Sequence, residues 1–165
     1  MMAGLIPDTQ ADTIAERIVA KIMEDVKAMV RSDDNSPLFK DVKRGDPDEE
    51  TIKALQTPCC YIEDGDDNVR ATLYTQDVIE RELNIIVHVR FTKGQQGVDP
   101  YKVFQYYRGL LTVMFGQPDY IRPLGRIMYE VGYSPEVFGS VDFQGGNIVF
   151  RVLYSHERSN PFTPR

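Results

Sequence analysis

The sequence predicts an α+β domain, with a mainly antiparallel sheet and helices packed on one face of that sheet. Residues 78–91 alternate apolar and polar side chains with a period of two, as in a strand with one buried face. Residues 14–30 and 103–114 instead carry apolar side chains at spacings of three and four, which is typical of amphipathic helices. The order helix, strands, helix, strands favours this layered arrangement.

Length and composition are those of an ordinary globular domain. The 165 residues suffice for one domain, 1–165, with its own hydrophobic core. The net charge of −6 argues against a general nucleic-acid binder, which needs a basic face to displace counterions from phosphates. No stretch approaches about 18 apolar residues, and the N-terminus lacks the basic and apolar regions of a signal peptide, so we expect neither a membrane span nor a signal peptide.

The first helix follows residues 1–11, which we expect to be a flexible N-terminal arm. Asp12 or Thr13 can cap this helix, which is predicted to run to about Arg31. Its apolar stripe predicts that it lies on the sheet. The stripe consists of Ile14, Ile18, Val19, Ile22, Val26, Met29 and Val30.

The next part of the chain is predicted to contain short elements. Residues 32–37 are turn formers, and 38–42 are predicted to form a short strand. Asp46 and Pro47, followed by three acidic residues, favour a short helix that ends before Pro58.

An acidic stretch interrupts the following strand pattern. Residues 59–63 are predicted as a strand, 64–68 as a turn, and 69–75 as a strand or a connecting loop. The acidic residues 63–67 could hold a hard cation, but they lack the spacing and the distal glutamate of an EF-hand. Because aspartate, asparagine and glycine favour turns, a solvated turn is the expected structure.

The adjacent Cys59 and Cys60 should point to opposite faces of an extended strand. A disulfide between them would be strained, and with one nearby histidine at most they do not make a zinc site. We expect two small, reduced strand residues.

The predicted strand 78–91 is much longer than the usual five or six residues and would span roughly 45 Å. A domain of this size does not need so long a strand, so we expect part of it to project or to pair with another subunit. Its even-numbered face carries Glu80, Glu82, His88 and Arg90. Paired carboxylates can act in acid–base catalysis, but here they alternate with apolar residues, so a wet outer face or a subunit contact is the expected role.

In the C-terminal half, Asp99 and Pro100 open the second helix after a glycine-containing link. The aromatic residues of this helix are expected to pack in the core and at interfaces. Residues 116–133 are predicted to be irregular with one extended piece, and 135–139 to form a turn.

A β-hairpin is predicted around Gly145-Gly146, with strands at 141–144 and 147–154. Residues 155–165 are then expected to form an extended polar C-terminal tail. Within this tail, prolines flank Phe162 and limit the entropy lost on docking, so we expect Phe162 to contact a neighbouring subunit or a partner protein.

No catalytic constellation is visible in the sequence. His88 and His156, the latter beyond the last predicted strand, have no serine or activated cysteine beside them. The sequence also lacks the GxGxxG and phosphate-loop motifs. We therefore expect a non-enzyme with no catalytic residues, no cofactor and no metal site; a small enzyme of unknown type is the less favoured alternative.

Four features of the chain occur in an order known from one protein family. They are the long first helix, the stretch TPCCYIEDG at 57–65, the stretch LNIIVHVR at 83–90 leading to a helix, and IVFRVLY at 148–154 followed by Asn-Pro-Phe. This pattern, which covers about residues 12–162, resembles the tail terminator (tail completion) proteins of long-tailed bacteriophages. It consists of element order and short local similarities.

The resemblance implies a structural virion protein whose α+β subunits form a hexameric ring that caps the tail tube, ends its polymerisation and joins the tail to the head connector. The implied partners are copies of the chain itself, the tail-tube protein and a head connector or stopper protein. DNA would pass through the lumen without specific binding, and no membrane is involved. The implied location is the virion tail or neck, after synthesis in the host cytoplasm.

Two alternatives share this setting: another neck protein, such as a head-completion or stopper protein, and a tail-tube subunit. The family offers no catalytic residues to transfer. The interface residues that we expect are Glu80, Glu82, His88, Arg90 and Phe162.

Overall fold

The computed structural model describes residues 12–47, 52, 56–73, 77–92, 99–137 and 143–165. No helix in these ranges is long and apolar enough to cross a bilayer. Within them the chain forms two helices and six strands: α1 (Ile14–Ala28), β1 (Asp41–Arg44), β2 (Cys59–Leu73), β3 (Val78–Thr92), α2 (Pro100–Phe115), β4 (Ile127–Val137), β5 (Phe143–Glu157) and β6 (Asn160–Pro164).

The strands form one sheet in the order β1-β2-β3-β5-β4, and β6 pairs with the end of β5. Neighbouring strands are antiparallel except for β1 and β2, which are parallel. Both helices share one hydrophobic core with the same face of the sheet. The predicted α+β fold, mainly antiparallel with helices on one face, is confirmed.

The long strand β3 lies in the middle of the sheet. It pairs with β5 along its whole length, and with β2 from Val78 to Arg90. The expectation that part of it projects or pairs with another subunit is therefore wrong. Its two neighbours are each 15 residues long, as long as β3 itself.

The helix-side core explains why the two amphipathic helices form. The odd-numbered face of β3 meets the apolar stripes of α1 and α2, and Phe115 packs edge-on against Phe150 with ring centroids 4.8 Å apart. Each fully buried large aliphatic side chain contributes about 1.5–3 kcal/mol to stability. The buried helix residues are Ile14, Ile18, Val19, Ile22, Val26, Phe104, Tyr107, Leu111 and Phe115.

The predicted helix caps are confirmed. The Thr13 hydroxyl accepts a hydrogen bond from the Glu16 amide at 3.3 Å, so Thr13 rather than Asp12 is the N-cap of α1. The helix ends at Ala28, three residues before the predicted end. Asp99 caps α2 by accepting a hydrogen bond from the Tyr101 amide at 3.0 Å.

The strand predicted at 38–42 instead occupies Asp41–Arg44. Leu38 and Phe39 are both buried in the core beside α1 and α2, and the chain bends there before it joins the sheet. The predicted helix after Asp46, the arm 1–11 and the link 93–98 lie largely or wholly outside the described residues.

The acidic stretch 64–68 is not a turn, because β2 continues through it. The pairing of β2 with β3 shifts register between Asp64 and Asp67, so a bulge absorbs the irregularity without ending the strand. A Cβ atom on Gly65 would lie 3.0 Å from Asn84 Cβ, so this glycine permits a close approach of the two strands.

The hairpin predicted at Gly145-Gly146 is also wrong, because β5 runs straight through both glycines. A Cβ atom on Gly145 would lie 1.9 Å from the Val89 carbonyl oxygen, and one on Gly146 would lie 2.7 Å from the Phe104 ring. Close packing against β3 and α2, rather than a reversal of the chain, explains the pair of glycines.

Two further predictions in the C-terminal half are corrected. Pro135 belongs to β4, the extended piece expected in the irregular segment, and not to a turn. His156 lies within β5 and is buried instead of following the last strand. Residues 155–157 thus continue β5, and β6 turns back to pair with it.

Candidate functional site

The sheet face opposite the helices divides into a charged half and a covered half. In the charged half, Glu80 lies 3.6 Å from Arg126, and Glu82 lies between Arg70 at 3.5 Å and Arg151 at 3.8 Å. These carboxylates are partly exposed, as expected for an outer face. Ion pairs with this exposure contribute at most about 1 kcal/mol each, so they do not fix the fold.

The covered half contains His88 and Arg90, which are only 5% and 2% exposed. The expectation that these two residues lie on a wet face is wrong. A second, smaller apolar cluster lies on this face, and the strand register places two of its members, Tyr61 and Cys59, opposite His88 and Arg90. It consists of Ile52, Cys59, Tyr61 and Phe143, of which Ile52 comes from the segment between β1 and β2.

His88 and Arg90 belong to a polar cluster that is completed by Asp46, Glu63 and Asn147. His88 Nε2 lies 2.7 Å from Glu63 Oε2 and 3.8 Å from Asp46 Oδ1. His88 Nδ1 lies 2.7 Å from Asn147 Oδ1. Both Nη atoms of Arg90 donate to the same Asn147 oxygen at 3.2 Å, and Nη1 also donates to the Gly146 carbonyl at 3.0 Å.

The hydrogen bonds of Arg90 imply that His88 carries a hydrogen at Nδ1. A guanidinium group only donates hydrogen bonds, so the amide oxygen of Asn147 must face Arg90. The same oxygen faces His88 Nδ1, which must therefore carry a hydrogen and donate it. The other ring nitrogen, Nε2, consequently faces the carboxylates of Glu63 and Asp46.

This arrangement can hold either a proton or a divalent cation between the imidazole and the two carboxylates. With a proton, Nε2 donates a charge-assisted hydrogen bond to Glu63. With a cation, the Nε2 lone pair and carboxylate oxygens serve as ligands. The exposed Asp46 side chain keeps one side of the cluster open to solvent, so either species can exchange with water.

A second candidate region is the β4 edge, which we define as Ile127, Tyr129, Val131 and Tyr133. These side chains are each between 38 and 48% exposed, an unusual concentration of apolar surface on one strand. Tyr101 and Tyr106 on the neighbouring helix α2 are exposed as well. Phe104, Tyr107 and Phe115 of the same helix are buried, which confirms the expected core role for these three aromatic residues.

Polar contacts hold strand β4 against α2. Glu130 accepts hydrogen bonds from Arg108 at 2.7 and 2.9 Å and from the Thr112 hydroxyl at 2.9 Å. The Arg108 guanidinium also stacks 3.9 Å from the centroid of the Tyr133 ring. An open pocket of about 390 Å³ lies beside the edge, lined by Asp99, Pro100, Tyr101, Phe104, Pro135, Gln144 and Gly145.

The residues expected at an interface therefore lie in three different places, one of which is buried. Glu80 and Glu82 are in the charged half, while His88 and Arg90 are in the polar cluster. Phe162 is half-buried on β6, and its carbonyl accepts a hydrogen bond from Arg17 of α1 at 3.3 Å.

Sequence reasoning missed Asp46, Glu63 and Asn147 as neighbours of His88. They come from three separate segments of the chain. The register of β2, β3 and β5 brings Glu63 and Asn147 next to His88. The register places Asn147 directly opposite His88, which is visible only once β5 is known to run through Gly145-Gly146.

The chain matches no protein-family model and none of the curated proteins with which it was compared.

Proposed function

We propose that this chain is a structural subunit that assembles into a closed ring through the edges of its sheet, and that the ring acts as a tail terminator of a long-tailed bacteriophage. In this role it caps the tail tube, ends tube polymerisation and joins the tail to the head connector. The observation that carries the assembly is the apolar β4 edge.

The β4 edge is suited to a partner rather than to water. Among the described residues, β4 pairs on one side only, with β5. Soluble proteins protect such edges with charges, prolines, bulges or short strands, and β4 has a bulge after Glu130 and a proline, Pro135, near its end. The strand is nevertheless 11 residues long and carries Ile127, Tyr129 and Val131 exposed. A partner strand or surface that covers this edge would bury apolar area now in contact with solvent.

The opposite side of the sheet offers a second, chemically different edge. β1 pairs with β2 only over Cys59–Ile62, and no other strand in the described ranges lies beside the rest of β2. The exposed Asp66 lies there, and Asp64 beside it forms an ion pair with Arg44 at 2.6 Å, whereas the exposed Arg122 and Arg126 lie just before β4. A ring with head-to-tail contacts needs two such different surfaces.

The more specific parts of the proposal rest on the family resemblance. It supplies the number of six subunits, the partners (tail-tube protein, head connector or stopper protein) and the location in the virion. The two-layer α+β subunit is compatible with that family. The net charge of −6 also suits a lumen through which DNA passes without being bound.

Assembly is tested with Val131→Lys on the β4 edge and Val30→Lys as the matched control, since both valines are about half exposed. Light scattering over a range of concentrations and electron microscopy, with and without tail tubes of the cognate phage, report ring formation. We expect rings from the wild type and from Val30→Lys, and mainly monomers from Val131→Lys. Protein that stays monomeric even on tail tubes contradicts ring formation, and open-ended tubes would identify a tail-tube subunit instead.

A further inference from the structure

We propose that Asp46, Glu63 and His88 form a binding site for one Zn²⁺ ion. This departs from the sequence-based expectation of no metal site, and it is independent of the proposed role in phage tails. The three residues come from different parts of the chain: the segment after β1, strand β2 and strand β3.

The three ligand atoms already converge. One ligand atom from each of Asp46, Glu63 and His88 lies within 4.8 Å of the other two. Zinc binds nitrogen and oxygen ligands at about 2.0–2.2 Å, which places two ligands of one ion about 3–3.5 Å apart. The observed separations from His88 Nε2, 2.7 Å to Glu63 and 3.8 Å to Asp46, lie on either side of that range. Because the Asp46 side chain is 75% exposed, it can rotate to complete the geometry at little cost.

The surroundings of His88 provide a second observation, independent of the three ligands. Histidines that bind metals usually donate the other ring N–H to an oxygen atom, which fixes the tautomer and the orientation of the ring. Here Asn147 Oδ1 receives that hydrogen from Nδ1, and two hydrogen bonds from Arg90 hold Asn147 in place. The ring is therefore held with Nε2 toward the two carboxylates, where a cation can replace the proton that Nε2 otherwise donates to Glu63.

The ligand set selects the type of ion. An imidazole nitrogen with two carboxylate oxygens suits zinc and related transition metals, whereas Mg²⁺ and Ca²⁺ prefer oxygen ligands alone. The two carboxylates balance the charge of a divalent ion. The exposed position of Asp46 also allows the ion to enter and leaves room for a water molecule as a fourth ligand.

A bound ion would connect the segment between β1 and β2 to the sheet. Asp46 opens that segment, and Ile52 within it packs on the apolar cluster beside His88. Zinc binding should therefore stabilise the folded chain, and the stabilisation should grow with the logarithm of the zinc concentration once this exceeds the Kd.

The site is tested by isothermal titration calorimetry on protein that carries no affinity tag and has been freed of metal with a chelator. We expect one Zn²⁺ per chain for the wild type, and no measurable binding of Mg²⁺ under the same conditions. Asp46→Asn should weaken zinc binding at least about tenfold, because it removes one anionic ligand while leaving a similar shape. Asp119→Asn, at a carboxylate that is 84% exposed, is the matched control and should bind as the wild type does.

Long-range nitrogen–proton NMR spectra of the imidazole rings identify the atom that binds. Zinc should shift His88 Nε2 strongly and leave Nδ1 protonated, whereas His156 serves as an internal reference that does not shift. Absence of zinc binding by the wild type, equal affinity of Asp46→Asn and the wild type, or a protonated His88 Nε2 in zinc-saturated protein would each overturn the proposal.

Discussion

The Tyr154 hydroxyl donates a hydrogen bond to Asp67 Oδ2 at 2.6 Å, across the strand that separates β5 from β2. Arg81 of that middle strand lies next to both, with Nη1 3.7 Å from Asp67 Oδ1 and Nε donating to His156 at 2.9 Å. This network explains why an acidic sequence remains in a strand: the Asp67 carboxylate has partners from the sheet itself and does not need a solvated turn.

Tyr154→Phe should lower the free energy of unfolding by about 1–2 kcal/mol, because it removes a hydrogen bond to a charged group while keeping the buried ring. Urea unfolding followed by circular dichroism measures the change. Tyr129→Phe, at an exposed tyrosine of β4, is the control and should leave stability within about 0.5 kcal/mol of the wild type. Equal stabilities of the two variants would show that the Tyr154 hydrogen bond adds nothing.

Stability should fall in alkaline solution. Burial raises the pKa of Tyr107, Tyr120 and Tyr154, and the hydrogen bonds of Tyr120 to Asp25 and of Tyr154 to Asp67 raise it further for those two residues. The folded state thus keeps protons that the unfolded state releases above about pH 10, so the stabilisation is complete below that pH and is lost as pH rises beyond it.

Urea unfolding between about pH 8 and pH 11 tests this dependence. We expect the free energy of unfolding to decline in the upper part of this range, and Tyr120→Phe to make the decline shallower. A profile that stays level, or that rises with pH, is inconsistent with tyrosines held protonated by the fold.

Two glycine substitutions should act in opposite directions. Gly146→Ala places a methyl group 2.7 Å from both the Phe104 ring and the Ser134 carbonyl oxygen, so it should cost about 1–3 kcal/mol or more. Gly109→Ala, in the middle of α2, brings its methyl group within 4 Å of no atom beyond the adjacent residues and the local helix backbone, and should stabilise the protein by about 0.5–1 kcal/mol. Thermal unfolding of both variants measures the difference. If Gly146→Ala is tolerated as well as Gly109→Ala, close packing is not the reason for the glycine.

Phe162→Ala tests whether the C-terminal strand serves assembly or the fold. We expect the melting temperature to change little, since within the described ranges β6 pairs with the end of β5 alone, while the joining of tails to heads decreases. Complementation of a phage that lacks the protein, together with differential scanning calorimetry, separates the two effects. A large drop in melting temperature with normal joining would assign Phe162 to the core instead.

The elements that could be predicted from the sequence are those whose apolar side chains recur at the spacing typical of a helix or of a strand. The stripe from Ile14 to Val26 and the alternation from Val78 to Phe91 each predict one element with the correct buried face. The charged half of the outer face could be predicted in the same way, from Glu80 and Glu82.

The rest depends on neighbours that the sequence does not identify. Asp64 and Gly145 carry the composition of turns, yet pairing with β3 keeps Asp64 extended, and pairing with β3 and β4 keeps Gly145 extended. The polar cluster was missed for the same reason. The neighbours of His88 depend on strand register and on the segment that carries Asp46, and neither of these produces a periodic pattern in the sequence.

Cys59 and Cys60 show how separate the two sides of the sheet are. Both are buried thiols, but Cys60 lies in the core under the helices and Cys59 in the small apolar cluster on the opposite face. A thiol reagent can reach each one only when its own layer opens, and burial raises the pKa of Cys60 so that its thiolate forms rarely while it is covered. Two adjacent positions in the chain therefore act as independent reporters of local opening, and the order in which they are labelled reveals which layer of the protein loosens first.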